Sequence, residues 1–128
     1  MTGHLFVDEP FTAHSGAALP FKIECDALTP ADLATLAQIV ARDMAYGEVY
    51  GIARGGIGFA AALARARKHI GPLVLIADDV LTTGASMEEA RLLYPDRPVR
   101  GVVIFARGPC PDWVTPLFTL NRAWGLPR

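Results

Sequence analysis

Val74-Leu75-Ile76-Ala77-Asp78-Asp79-Val80-Leu81-Thr82-Thr83-Gly84-Ala85-Ser86 is the stretch on which the reading of this chain turns. With Leu73 it opens as an apolar run of the kind that fits a strand buried on both faces. Two carboxylates, Asp78 and Asp79, end that run. A small, hydroxyl-rich turn follows, and the pattern reopens as a helix over Ala85 to Leu93. The acids can accept hydrogen bonds from two neighbouring hydroxyls. The backbone N–H groups of the turn and the helix start can take a phosphate. By itself the acidic pair favours a solvated loop, with one Asp capping the next helix.

Upstream, Val49 to Ile52 reads as a short buried strand, Ala53-Arg54-Gly55-Gly56 as a turn, and Ile57 to Arg67 as an Ala-rich helix that Gly71-Pro72 breaks. Downstream, Val99 to Ala106 is the next strand, and Leu117 to Leu120 a short last one. Strand, helix, strand, helix, strand in this order predicts parallel strands joined by right-handed crossovers. Ligands in such sheets sit beyond the carboxyl ends of the strands, where both candidate loops fall. Further upstream, Thr29 caps a helix with Pro30 at its first position and Asp32 at its N-terminal dipole. Leu33, Leu36, Ala37, Val40, Ala41 and Met44 form its apolar face, and Gly47 is expected to end it. Residues 1–27 read as irregular or hairpin-like.

At 128 residues with 52% hydrophobic content, one packed domain is expected, with 1–27 as a hood region and 28–128 as core and C-terminal segment. A net charge of -1 leaves no basic footprint for nucleic acid, and no apolar run is long enough for a membrane span. Met1-Thr2-Gly3-His4 lacks the basic start and apolar core of a signal peptide, so a cytoplasmic setting with Cys25 and Cys110 reduced is expected. His4, His14 and His69 do not cluster for metal, and no GxxxxGK[ST] loop or GxGxxG spacing is present.

The stretch from Val74 to Ser86 closely resembles the phosphoribosyl-pyrophosphate (PRPP) signature of the type I phosphoribosyltransferases, an apolar strand, an acidic pair, an apolar pair and T-T-G-A-[TS], over thirteen consecutive positions. The resemblance implies an α/β fold, a doubly wound and mostly parallel sheet with a small N-terminal hood. It implies that Asp78 and Asp79 serve the ribose hydroxyls as the catalytic acids, and that Thr82, Thr83, Gly84, Ala85 and Ser86 hold the 5′-phosphate. Gly51 to Gly58 is similar to the family's pyrophosphate loop, which assigns pyrophosphate to Ala53, Arg54, Gly55 and Gly56 and marks Ala53-Arg54 as the candidate for a strained peptide. Taken alone, a Gly-rich turn with one Arg is common. Phe11 to Gly16 and Pro20 to Ile23 look like the base-side hood of orotate phosphoribosyltransferases, which would bring His14, Phe21 and Lys22 to the base. A surface hairpin with a buried Phe and a solvated Lys explains the same residues. Glu24-Cys25-Asp26 reads as surface, with no chemistry assigned.

One departure stands out. Catalytic members carry a long mobile loop between the pyrophosphate-loop helix and the signature strand. Here only Ala66-Arg67-Lys68-His69-Ile70-Gly71-Pro72 joins them. Those basic residues are either a shortened remnant or the basic end of a helix, and the helix end is favoured. The resemblance therefore implies transfer of the 5-phosphoribosyl group from PRPP to a nitrogen of a nucleobase or similar acceptor, orotate-like by analogy. Mg²⁺ would be borne by the ligand with no direct protein ligand, and the chain would work as a homodimer. The alternative is a non-catalytic module that binds PRPP or a nucleotide 5′-monophosphate.

Overall fold

The computed structural model describes residues 5–7, 11–12, 18–19 and 22–120, with side chains at residue 5 and over 24–120. The N-terminal part pairs β1 (Phe6–Val7) antiparallel with β4 (Lys22–Ile23), and β2 (Phe11–Thr12) antiparallel with β3 (Ala18–Leu19), a nested arrangement of two short ladders. A 3₁₀ turn, Cys25–Ala27, leads into α1 (Pro30–Asp43). Thr29 and Asp32 cap α1 reciprocally: Thr29 Oγ1 accepts from the Asp32 N–H at 3.1 Å and Asp32 Oδ2 accepts from the Thr29 N–H at 2.9 Å.

Four parallel strands then form the main sheet: β5 (Val49–Gly51), β6 (Val74–Leu81), β7 (Val99–Ala106) and β8 (Val114–Thr119), side by side in chain order. Helix α2 (Ile57–Ala66) joins β5 to β6 and α3 (Ala85–Arg91) joins β6 to β7. The continuous apolar runs of β6 and β7 are explained by burial on both faces. Leu75 and Ala77 pack with Phe59 and Leu63 of α2 and with Ala37, Val40 and Ala41 of α1. Val74 and Ile76 point the other way, onto Met87 and Ala90 of α3. Fully burying side chains of this size contributes roughly 1.5–3 kcal/mol each, so the two layers anchor the sheet from opposite sides.

Four sequence expectations change here. The crossovers are not both right-handed: β5, β6 and β7 follow one another in one direction while α2 and α3 cover opposite faces, so the two connections have opposite hands. The acidic pair does not terminate the strand, because β6 runs on through Asp78 and Asp79 to Leu81, still paired with β7. Gly47 does not cap α1, which ends at Asp43 with Met44 extended. It is small because the backbone of the next connection passes there: a Cβ on it would meet the Gly71 carbonyl oxygen at 2.6 Å. The last strand is also longer than expected and follows β7 through residues 107–113 without a helix. That is short for a parallel return.

Candidate functional site

The carboxyl ends of β5, β6 and β7 open into one cleft of about 760 Å³. The polar positions of the signature stretch line it together: Asp78, Asp79, Thr82, Thr83, Gly84, Ala85 and Ser86. Ala53, Arg54 and Gly55 line it too, packed against the acidic strand, while Gly56 sits buried. These two distant stretches of sequence thus meet because parallel pairing sets Gly51 of β5 beside Ala77 of β6.

Local hydrogen bonds hold the acids. Asp78 Oδ1 accepts from the Asp79 N–H at 2.8 Å, and Asp79 Oδ1 accepts from the Val80 N–H at 2.7 Å. Each carboxylate keeps acceptor capacity beyond its one backbone donor. The Asp78 carboxyl is raised to about 8, first by burial, then by its hydrogen bond with Asp79 and the Asp79 charge. An acid pair held this way suits a partner that brings hydroxyl donors or cationic charge.

The glycine loop is tight. The Ile52 N–H donates to the Ala77 carbonyl at 2.9 Å and the Gly56 N–H to the Ile52 carbonyl at 2.8 Å. The Ala53–Arg54 peptide is cis. A Cβ on Gly55 would overlap the Asp79 carboxylate, and one on Gly56 would meet the Ala77 carbonyl oxygen at 2.5 Å and the Asp78 Cα at 2.9 Å. The glycines therefore let the loop lie directly on the acidic strand, a demand the sequence did not reveal. In the other turn, Gly84 takes the left-handed conformation at φ 86°, which favours glycine. The Thr83 hydroxyl accepts from the Ala85 N–H at 3.4 Å.

No family model matches the sequence, and no curated protein matches it. Solved structures do. An orotate phosphoribosyltransferase from Aeropyrum pernix matches over 90% of this chain and 88% of its own, at TM-score 0.68 and 22% identity. The UMP synthase of Leishmania donovani matches over 91% of this chain and 34% of its own, at TM-score 0.70 and 19% identity. A hypoxanthine-guanine phosphoribosyltransferase from Bacillus anthracis matches over 73% of this chain and 80% of its own, at TM-score 0.54 and 13% identity. The chain has the type I phosphoribosyltransferase fold.

Within this phosphoribosyltransferase fold, the cleft has walls that no motif announced. Arg107, the first residue after β7, lines it. Burial lowers its guanidinium's pKa. Its signal in the sequence was positional only: a cation directly after an apolar strand, at the end where ligands bind. Glu24, Cys25 and Asp26 also line the cleft, so the expectation of a purely surface role for them is corrected. The Cys25 thiol is pushed up to about 12, by burial first and then by Asp79, Asp26, Asp78 and Glu24, so it stays protonated and unreactive. Of the expected base-side residues, His14 and Phe21 lie outside the described residues, and Lys22 is described only as backbone in β4.

The short basic link behaves as a helix end. Arg67 donates to the Gly47 carbonyl, and the His69 carbonyl accepts from the Tyr46 N–H at 3.0 Å. Both contacts lie ahead of β5, at the amino end of the sheet. Arg67, Lys68 and His69 are exposed, and none of them lines the cleft of its own chain.

Proposed function

We propose that this chain is a phosphoribosyltransferase that moves the 5-phosphoribosyl group of PRPP to a nitrogen of a nucleobase-like acceptor. One observation carries the reading. The acidic pair, the Thr82–Ser86 turn and the Arg54 loop, separate in sequence, line a single cleft at the carboxyl ends of the parallel strands. The fold shared with phosphoribosyltransferases supports it.

In this reading, the turn's N–H groups and hydroxyls hold the 5′-phosphate, and Asp78 and Asp79 accept from the ribose 2′- and 3′-hydroxyls. The Ala53–Gly56 loop holds the pyrophosphate, with charge-assisted bonds from Arg54. The C1–O bond to pyrophosphate breaks as the acceptor nitrogen bonds C1, pyrophosphate leaves with the bonding pair, and any proton on that nitrogen passes to water. The protein supplies placement and fixed charge, with little covalent work. Arg107, on the neighbouring strand end, lines the same cleft, and its cation suits an electron-rich or anionic edge of the acceptor. An orotate-like acceptor fits that cation, with His14, Phe21 and Lys22 as the expected base contacts.

Mg²⁺ would arrive on the diphosphate. Asp78 and Asp79 on the cleft wall fit it through its bound waters, and the ion would supply charge neutralisation to the departing pyrophosphate. A second reading has a specific observation behind it. No basic residue of the α2–β6 link reaches the cleft, which suits a non-catalytic module that binds PRPP or a nucleotide 5′-monophosphate.

Pyrophosphate release from Mg²⁺-PRPP, assayed with a panel of bases beside calorimetric binding, tests both. Release with one or more bases supports transfer. Binding without release for every base leaves the module, and absence of binding both to PRPP and to nucleotide 5′-monophosphates overturns both.

A further inference from the structure

Two segments of the cleft are assigned to anions, and they are held in place by different means. The Ala53–Gly56 loop leads into α2, which packs on α1 through buried side chains, and its glycines press directly on the acidic strand. The Thr82–Ser86 turn leads into α3, which has seven residues. A helix that short has little stability of its own, so its place must come from packing. Gly84 at its N-cap offers no capping side chain, and of its own residues only Met87 and Ala90 are buried.

The connection from β7 to β8 supplies the missing support. It contains no helix, so Trp113 at its end packs straight onto α3. The indole Nε1–H donates to Glu88 Oε2 at 3.0 Å. Arg91 Cζ lies 4.9 Å from the centre of the Trp113 ring, and Arg91 Nη1 stands 3.5 Å from Glu88 Oε1. Trp113 is itself fixed to β7. Its carbonyl accepts from the Gly101 N–H at 2.8 Å, and the Val114 N–H donates to the Pro111 carbonyl at 3.0 Å. Pro109 and Pro111 further restrict the link. Gly101 leaves the space that Met87 and Trp113 fill: a Cβ on it would meet Met87 Cε at 2.6 Å and Trp113 Cζ3 at 3.1 Å.

We propose that Trp113 and Glu88 are positioning residues for the 5′-phosphate turn: the indole grips α3 by its first turn and so sets where Gly84, Ala85 and Ser86 present their N–H groups. Neither side chain lines the cleft, so both act through the helix. The route is short. The Glu88 N–H donates to the Gly84 carbonyl at 3.0 Å, so the residue held by the indole closes the helical turn that begins at Gly84. Met87, seated over Gly101, adjoins Ser86 and lines the cleft itself. Backbone groups that are not aligned beforehand must be ordered at the moment of binding, which weakens it. The Glu88 and Arg91 side chains are about half exposed, so the grip is expected to act on alignment far more than on global stability. The positioning role rests on the proposed function, whereas the grip on α3 does not.

Hydrogen exchange read by mass spectrometry tests the grip. Trp113→Phe keeps a ring and removes the N–H. Exchange should quicken several-fold over residues 84–92 and stay unchanged over α2. Unchanged exchange in α3, or a rise throughout the chain, overturns the grip. Calorimetry with two probes tests the role: ribose 5-phosphate, which uses the turn, and Mg²⁺-pyrophosphate, which uses the Ala53–Gly56 loop. Trp113→Phe and Glu88→Ala are each expected to weaken ribose 5-phosphate roughly three- to tenfold and to leave pyrophosphate unchanged. The double variant should bind no more weakly than either single one, because both remove the same bond. Glu88→Gln keeps an oxygen acceptor for the indole and should recover most of the affinity. Unchanged ribose 5-phosphate affinity in both variants, or an equal loss for both probes, overturns the role. If wild type binds neither probe, the role fails, exchange still decides the grip, and PRPP binding decides the proposed function separately.

Discussion

The two ends of the main sheet treat charge in opposite ways. At the amino end, Glu48 accepts from Tyr94 Oη at 2.8 Å and from Arg97 Nη1 at 2.7 Å, while Arg97 also donates to the Pro72 carbonyl at 3.4 Å. These bonds tie together the segments that enter β5, β6 and β7. They hold the Glu48 carboxyl below its usual value, the Tyr94 hydrogen bond first and the Arg97 hydrogen bond next, with burial opposing. At the carboxyl end, acid stands beside acid, and Asp78 is driven up instead. Charge that is satisfied within the chain serves the fold. Charge left crowded is a mark of a place where something else binds, and here the crowding coincides with the cleft.

That contrast can be broken experimentally. The largest effect is expected from Asp78→Asn/Asp79→Asn. Hydrogen bonds to charged groups are worth about 1.5–3 kcal/mol each, so losing two should weaken PRPP binding by roughly a hundredfold or more without unfolding the chain. Calorimetry with a thermal melt checks it, and unchanged affinity removes the ribose assignment. Next is Gly55→Ala, which pushes a methyl group into the Asp79 carboxylate. A drop in affinity of about tenfold is expected, with overpacking of about 1–3 kcal/mol lowering stability as well.

The third prediction concerns pH. The folded-state pKa of Asp78 lies above its ordinary value of 3.8, so the folded chain binds the extra proton. The stability this contributes is complete below that ordinary value and is lost as pH rises through about 8. In the ligand-free protein, Tm should therefore fall across this window, and Asp78→Asn should flatten that part of the curve. An identical slope in the variant would show that another group is responsible. The smallest effect is expected from Arg97→Ala. It should lower Tm slightly, as exposed pairs do, and leave PRPP affinity unchanged. A loss of affinity there would mean that the two ends of the sheet are coupled.

Much of the carboxyl end was legible from local pattern. The strand over Val99 to Ala106, the helix start at Thr29 and the meeting of the two loops follow from apolar runs, capping chemistry and the rule for parallel sheets. What escaped depends on neighbours distant in sequence. Nothing near Gly47 tells that Gly71 presses on it. Nothing near Arg107 forms a motif. Glu24 and Asp26 reach the cleft only because the N-terminal ladders set the 3₁₀ turn there. The opposite hands of the two crossovers are invisible in a strand–helix pattern, which records order but not the face each helix takes.

The contact of Gly55 with Asp79 also limits how this cleft can diversify. No standard side chain carries a carboxylate on a shorter stem than aspartate. Any substituent at position 55 must therefore displace that carboxylate or be matched by giving it up. The two positions can vary only as a pair, and a library that randomises one loop while keeping the other would be filled with variants whose acid has been pushed out of place.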